Sequence, residues 1–153
     1  MALLPERLPL ELEQQMPFLL SEGYVVKSIA TRGYNCIAFA ADDPSMFYWP
    51  DDGDNPDVYW PISRKDVSLD CFVEMFAYFG YEKCDDGSLE TGYEKVVIYM
   101  LEGSPSHAAK QLDDGRWKSK LGIAQDIEHN SVRAVEDEFC YGTAAQYMKR
   151  PRR

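Results

Sequence analysis

Leu69, Phe72, Val73, Phe76 and Phe79 recur at i, i+3, i+4, i+7 and i+10, the spacing of a single helix face. Ser68 stands before this run as an N-cap and Gly80 after it as a stop, so the pattern predicts a helix with an aromatic core stripe. Residues 8–20 also carry leucines and acids at helical spacing, but Pro17 lacks a backbone donor and ends that helix near Gln15. A short β-branched run over 24–29 predicts a strand, and Gly33-Tyr34-Asn35 a turn. Residues 36–41 are apolar and alanine-rich, which predicts a buried helix with Cys36 in its first turn.

The second half changes period. Residues 95–101 are β-rich, Glu102-Gly103-Ser104-Pro105 turns the chain, and 106–112 forms a second extended run. Asp113-Asp114-Gly115 is a hairpin signal leading into a third run over 116–121, so an antiparallel meander is expected. A helix near 131–139 and a last strand over 143–149 complete the order. Helices followed by a sheet predict an α+β fold, with one domain over 1–148 and a frayed basic tail over 149–153.

Between the halves, residues 42–66 lack periodicity and contain Tyr-Trp-Pro twice, at 48–50 and 59–61. These aromatics read as loop or core packing before they read as a recognition surface. Asp51-Asp52-Gly53-Asp54-Asn55-Pro56-Asp57 is rich in oxygen ligands but lacks the alternating ligands and distant Glu of an EF-hand, so it reads as a solvated acidic loop.

Composition narrows the function classes. Apolar residues are 45% and charged residues 27% of 153, values of an ordinary folded domain rather than a disordered chain. Acids outnumber bases 26 to 16, and four of the bases close the chain, leaving the first 148 residues at −14. A field of that sign repels phosphate backbones and anionic membranes, so neither nucleic acid nor membrane is an expected partner. The apolar runs fall far short of the roughly 20 residues that cross a bilayer. The leucines of the N-terminus alternate with acids, unlike a signal peptide, so a cytoplasmic location is expected. Cys36, Cys71, Cys84 and Cys140 show neither Cys-x-x-Cys spacing nor metal-ligand pairing with the histidines, so free thiols, no metal and no cofactor are expected.

Thiol chemistry is favoured at a helix N-terminus, where free N–H groups stabilise a thiolate and an oxyanion beside it. Cys36 has that placement and is the nucleophile candidate. Of the two histidines, His107 opens a predicted strand and is the better base, while His129 lies in the polar run Asp126-Ile127-Glu128-His129-Asn130. A base needs a partner on its other ring nitrogen, and Ser119, Asp126, Glu128 and His129 all qualify, with Asp126 first because a carboxylate stabilises the imidazolium.

Tyr34-Asn35-Cys36-Ile37-Ala38-Phe39-Ala40 resembles the nucleophile segment of the papain-like superfamily in its small bacterial forms, the NlpC/P60 and CHAP amidases. Ser106-His107-Ala108-Ala109, followed by Gly115-Arg116-Trp117-Lys118-Ser119-Lys120-Leu121-Gly122, resembles their histidine strand and the next. Over residues 8–151 the chain also resembles an uncharacterised bacterial domain family with the words Tyr-Asn-Cys-Ile-Ala, Tyr-Trp-Pro, His-Ala-Ala, Ser-Lys-Leu-Gly and Asp-Ile-Glu-His. The resemblance implies a papain-like α+β fold with a Cys-bearing helix packed on an antiparallel sheet. The glutamine that precedes the cysteine in papain has no counterpart, since Ala30 and Arg32 occupy that neighbourhood. An oxyanion hole would therefore use the Cys36 N–H with Asn35 or Tyr34, and Trp117 and Ser119 would lie along the substrate.

Two functions are expected from this reading. The first is a cysteine-dependent hydrolase or acyltransferase acting on a neutral or basic substrate with an amide, isopeptide or thioester bond. The second is a noncatalytic acidic binding or immunity-type protein that neutralises a basic protein partner.

Overall fold

Seven antiparallel strands form one sheet in the order β1-β6-β5-β4-β3-β7-β2. They are β1 (Tyr24–Val26), β2 (Glu82–Cys84), β3 (Tyr93–Leu101), β4 (Ser104–Gln111), β5 (Trp117–Lys120), β6 (Asp126–His129) and β7 (Thr143–Pro151). The computed structural model describes residues 4–51, 53 and 55–153. Asp52 and Asp54 lie outside them, so the acidic-loop reading of 51–57 falls in part outside the described residues.

The helices are few and short: α1 (Leu10–Gln15), α2 (Pro17–Glu22), α3 (Cys36–Ala40) and α4 (Leu69–Tyr78), with a 3-10 turn over Val132–Val135. The architecture is α+β, and among the described residues no helix is long and apolar enough to cross a membrane. Ser68 caps α4 by accepting from the Cys71 N–H at 3.2 Å, as the stripe predicts. Pro17 starts α2 instead of only ending α1, because its missing N–H is one the first turn leaves unbonded anyway. The helix expected near 131–139 is a single 3-10 turn, capped by Ser131.

Strand alternation sorts the side chains onto two faces. Val96, Ile98, Ala108 and Met148 face α3, α4 and the 42–66 segment. Val97, Tyr99, Ala109, Trp117 and Ile127 face α1, α2 and the 3-10 turn. Burial on both faces explains why β3 reads as a continuous apolar run rather than an alternating one. The two Tyr-Trp-Pro copies lie side by side: Trp49 N–H donates to the Tyr59 carbonyl at 3.1 Å, and Trp49 and Trp60 both pack on Phe72 of α4.

The C-terminus is not a frayed tail. Lys149, Arg150 and Pro151 complete β7, and Arg150 is buried, bonding Glu94 at 2.5 Å, Asp42 at 3.0 Å and the Phe79 carbonyl at 2.8 Å. Ion pairing, not apolar content, extends this strand beyond the expected residue 149.

Candidate active site

Asn35 builds the start of α3. Its Oδ1 accepts from the Ala38 N–H at 3.1 Å and the Tyr48 N–H at 3.0 Å, while Nδ2 donates to the Tyr48 carbonyl at 2.6 Å. Both ends of the amide are engaged in holding the first Tyr-Trp-Pro copy against the helix. Asn35 is therefore a cap and a clamp, not an oxyanion donor. Tyr34 is also committed, donating its hydroxyl to Asp126.

Cys36 follows, almost fully buried at the wall of a pocket of about 410 Å³ formed with Asn35, Phe47, Trp49, Ser106, Gly122, Ile123 and Tyr141. Burial pushes its thiol up to about 11, against the pull of the Ala108, Ile37 and Cys36 N–H groups and of the Lys120 ammonium. The β4–β5 ladder covers only Lys110↔Lys118 and Gln111↔Trp117, which leaves Ala108 beyond its end and next to the Cys36 sulfur.

His107 immediately precedes that amide, but it projects to the other face with Tyr99 and Ala109. Cys36 and His107 thus reach the same part of β4 from different sides, and no hydrogen bond joins them, since His107 Nδ1 is buried without a partner. The imidazole stacks on Tyr141 at 4.0 Å between centroids and 16° between planes, and Tyr141 also lines the Cys36 pocket.

The other nitrogen of His107 is held by a chain of bonds across three strands. Nε2 lies 3.0 Å from Ser119 Oγ, which lies 2.8 Å from His129 Nε2, and His129 Nδ1 lies 2.8 Å from the Ser131 carbonyl oxygen. Burial pushes His129 down to about 4 and His107 well below its ordinary value, with the neighbouring His129 adding to the latter. Both rings are therefore neutral at pH 7. A carbonyl only accepts, so His129 carries its proton on Nδ1 and offers the Nε2 lone pair to the Ser119 hydroxyl. Ser119 then accepts from His107 Nε2–H, and His107 Nδ1 is left as a bare lone pair. The relay fixes the tautomer of His107 without a carboxylate.

Asp126 does not reach His107. It alternates to the α3 face, with Lys118 and Lys120, and accepts from Tyr34. Ser119 sits between the histidines rather than along a substrate path. Trp117 is buried in the core of the opposite face, packed on Tyr147, and does not line the pocket. The side chains that reach His107 are Ser119 directly and His129 through it; β6, which the sequence predicts as a loop or helix start, is the strand that brings His129 in.

Lys120 gave no sequence signal. It is fully buried, and its ammonium donates to the carbonyls of Thr31 at 2.9 Å, Gly122 at 2.8 Å and Ala124 at 2.5 Å while lying 5.3 Å from the Tyr34 ring centre. One side chain therefore ties the loop before Cys36 to the loop that carries Ile123. Burial lowers its pKa, opposed by Asp126 and Cys36. The four cysteines are free thiols, and Cys71 is buried with its sulfur 3.3 Å from the Arg64 carbonyl. Among the described residues, no three His, Cys, Asp or Glu side chains converge as a metal site.

A family model described as a domain of unknown function (DUF7689) matches residues 25–149. No curated protein and no solved structure matches the chain.

Proposed function

The chain belongs to the DUF7689 family, whose description carries no activity, and we propose from its geometry that it is a cysteine-dependent hydrolase or acyltransferase of papain-like type. The observation that carries this reading is the His107 tautomer: a buried, unpartnered Nδ1 lone pair, fixed by Ser119 and His129, next to the strand residue whose amide touches Cys36. A general base needs a lone pair free to take a proton, and the relay leaves that lone pair on Nδ1.

In this mechanism the resting pair is neutral, since burial raises the thiol and lowers the imidazole. As the acyl carbonyl of an amide, isopeptide or thioester approaches, Cys36 Sγ forms the new bond to carbon and its proton passes to His107 Nδ1. The Cys36 and Ile37 N–H groups beside the sulfur are the available donors for the developing oxyanion. The imidazolium returns the proton to the leaving amine or thiol, and water or another nucleophile then resolves the thioester through the same base. Cys36 and His107 reach β4 from opposite faces, so direct transfer from Sγ to Nδ1 requires the His107 side chain to come round the strand edge beside Tyr141, where the β5 ladder is open.

Turnover of p-nitrophenyl acetate tests this reading. The wild type should release a burst of p-nitrophenol equal to the protein concentration, absent in Cys36→Ala and slowed about 100-fold in His107→Gln, in line with general-base catalysis. Equal rates in all three proteins would overturn it.

A second reading, an acidic binding protein, is supported by one surface. Phe139 is 76% exposed beside Glu136, Asp137 and Glu138, across a groove from Phe18. A basic partner seated there would lose affinity with Phe139→Ser.

A further inference from the structure

We infer that the Cys36 pocket selects an uncharged, apolar acyl group or side chain, and that Ile123 is the residue that sets this preference. The inference rests on the acyl-transfer reading for its chemistry, but its test does not.

The walls carry the argument. Phe47, Trp49 and Tyr141 supply aromatic surface, Ile123 an aliphatic lip that is 54% exposed, and among the described residues no lining side chain is charged. The Asn35 amide and the Ser106 hydroxyl are already engaged. Asn35 is bonded at both ends to Ala38 and Tyr48, and the Ser106 hydroxyl donates to the Tyr141 carbonyl at 2.5 Å. An ionised group entering here would lose its hydration and meet no charged side chain on the walls, the Lys120 ammonium behind them being already bonded to three carbonyls, whereas an apolar group only loses water. The volume of about 410 Å³ lies in the range of small-molecule sites and exceeds a crevice left by imperfect packing.

The pocket is also a built feature. Lys120 pins Gly122 and Ala124, the two neighbours of Ile123, by their carbonyls, so the lip is held in place although its side chain is solvent-facing. Trp49 is fixed from behind by its edge contact with Phe72 at 5.5 Å between ring centres. The duplicated Tyr-Trp-Pro words thus gain a role: the first copy lines the pocket, and the second braces it through the Trp49–Tyr59 bond. The net charge of −10 does not set this selection, because none of the acids is on the wall. The substrate group bound here is apolar rather than basic.

Alkylation of Cys36 reads the pocket directly. Iodoacetamide, N-hexyl iodoacetamide and iodoacetate are compared at pH 9, each rate being divided by that for glutathione and Cys36 being followed by peptide mass spectrometry. The hexyl reagent should modify Cys36 at least tenfold faster than iodoacetamide, and iodoacetate at least tenfold slower. Ile123→Glu, at an exposed position that leaves the fold intact, should remove the hexyl advantage. The same order should hold in His107→Gln, since binding precedes any proton transfer. Equal normalised rates for the three reagents would overturn the pocket inference while leaving a His107-dependent ester burst, and so the acyl-transfer reading, intact. An apolar preference without any His107 dependence of the burst would do the reverse.

Discussion

His129 donates from Nδ1 to the carbonyl oxygen of Ser131 at 2.8 Å, and that bond sets the proton positions of three side chains. Because the carbonyl cannot donate, the direction of every bond from His129 through Ser119 to His107 follows.

Ser119→Ala removes the middle of this chain. Both Nε2 atoms then lose their partner in a buried space, so stability should fall by about 1–3 kcal/mol in urea unfolding. Nitrogen NMR should show His107 protonated on Nε2 in the wild type and a mixture of tautomers in the variant. An unchanged spectrum would show that Ser119 does not set the tautomer.

The pH dependence of stability has a definite sign. An unfolded histidine titrates near 6.5, whereas burial holds folded His129 at about 4. Between those values the unfolded chain takes up a proton that the folded chain refuses, so the contribution is fully present above about pH 6.5 and is lost as pH falls toward 4. It amounts to about 3 kcal/mol for His129, and His107 acts in the same direction. Urea midpoints measured from pH 4 to 7 should rise with pH, and His129→Gln should flatten the rise relative to wild type.

Lys120→Met leaves the Thr31, Gly122 and Ala124 carbonyls without their shared donor and takes a positive charge away from Cys36. A loss of about 3 kcal/mol is expected, as for breaking a buried charged hydrogen-bond cluster. In wild type the iodoacetamide rate at Cys36 should climb about tenfold per pH unit through pH 10 without a plateau, because the thiol lies at about 11. In Lys120→Met the rate at any one pH should be lower; an equal rate would separate Lys120 from the thiol.

Gly142→Ala should be among the most damaging single changes. Gly142 has φ +67°, and an added Cβ would fall 1.9 Å from the Met100 carbonyl oxygen. The chain between Tyr141 and β7 must shift, which displaces the ring stacked on His107. A drop in melting temperature together with loss of the ester burst is expected; a wild-type melting curve would contradict the close approach.

Much of this molecule is legible in local pattern. The α4 stripe, its Ser68 cap, the Cys36 helix and the β3–β4–β5 meander all follow from periods and turn residues within about a dozen positions. β6 was not legible, because Asp126-Ile127-Glu128-His129 alternates over only four residues and carries three polar side chains. Its strand state is conferred by β1 and β5 on either side. Asp126 was expected to serve His107 on the general preference of a histidine for a carboxylate. A one-residue step along a strand reverses the face, and that parity gave the role to Ser119 and His129 and left Asp126 to Tyr34.

Fold class, antiparallel meander and the residue types available for thiol chemistry all follow from short-range periodicity and composition. Tertiary structure alone decided which of them meet. The separations of 12 and 10 residues along the His107–Ser119–His129 relay, and of 89 residues between Lys120 and Thr31, are closed by sheet register and loop packing. Those are properties of long-range contacts, and no local pattern of side chains specifies them.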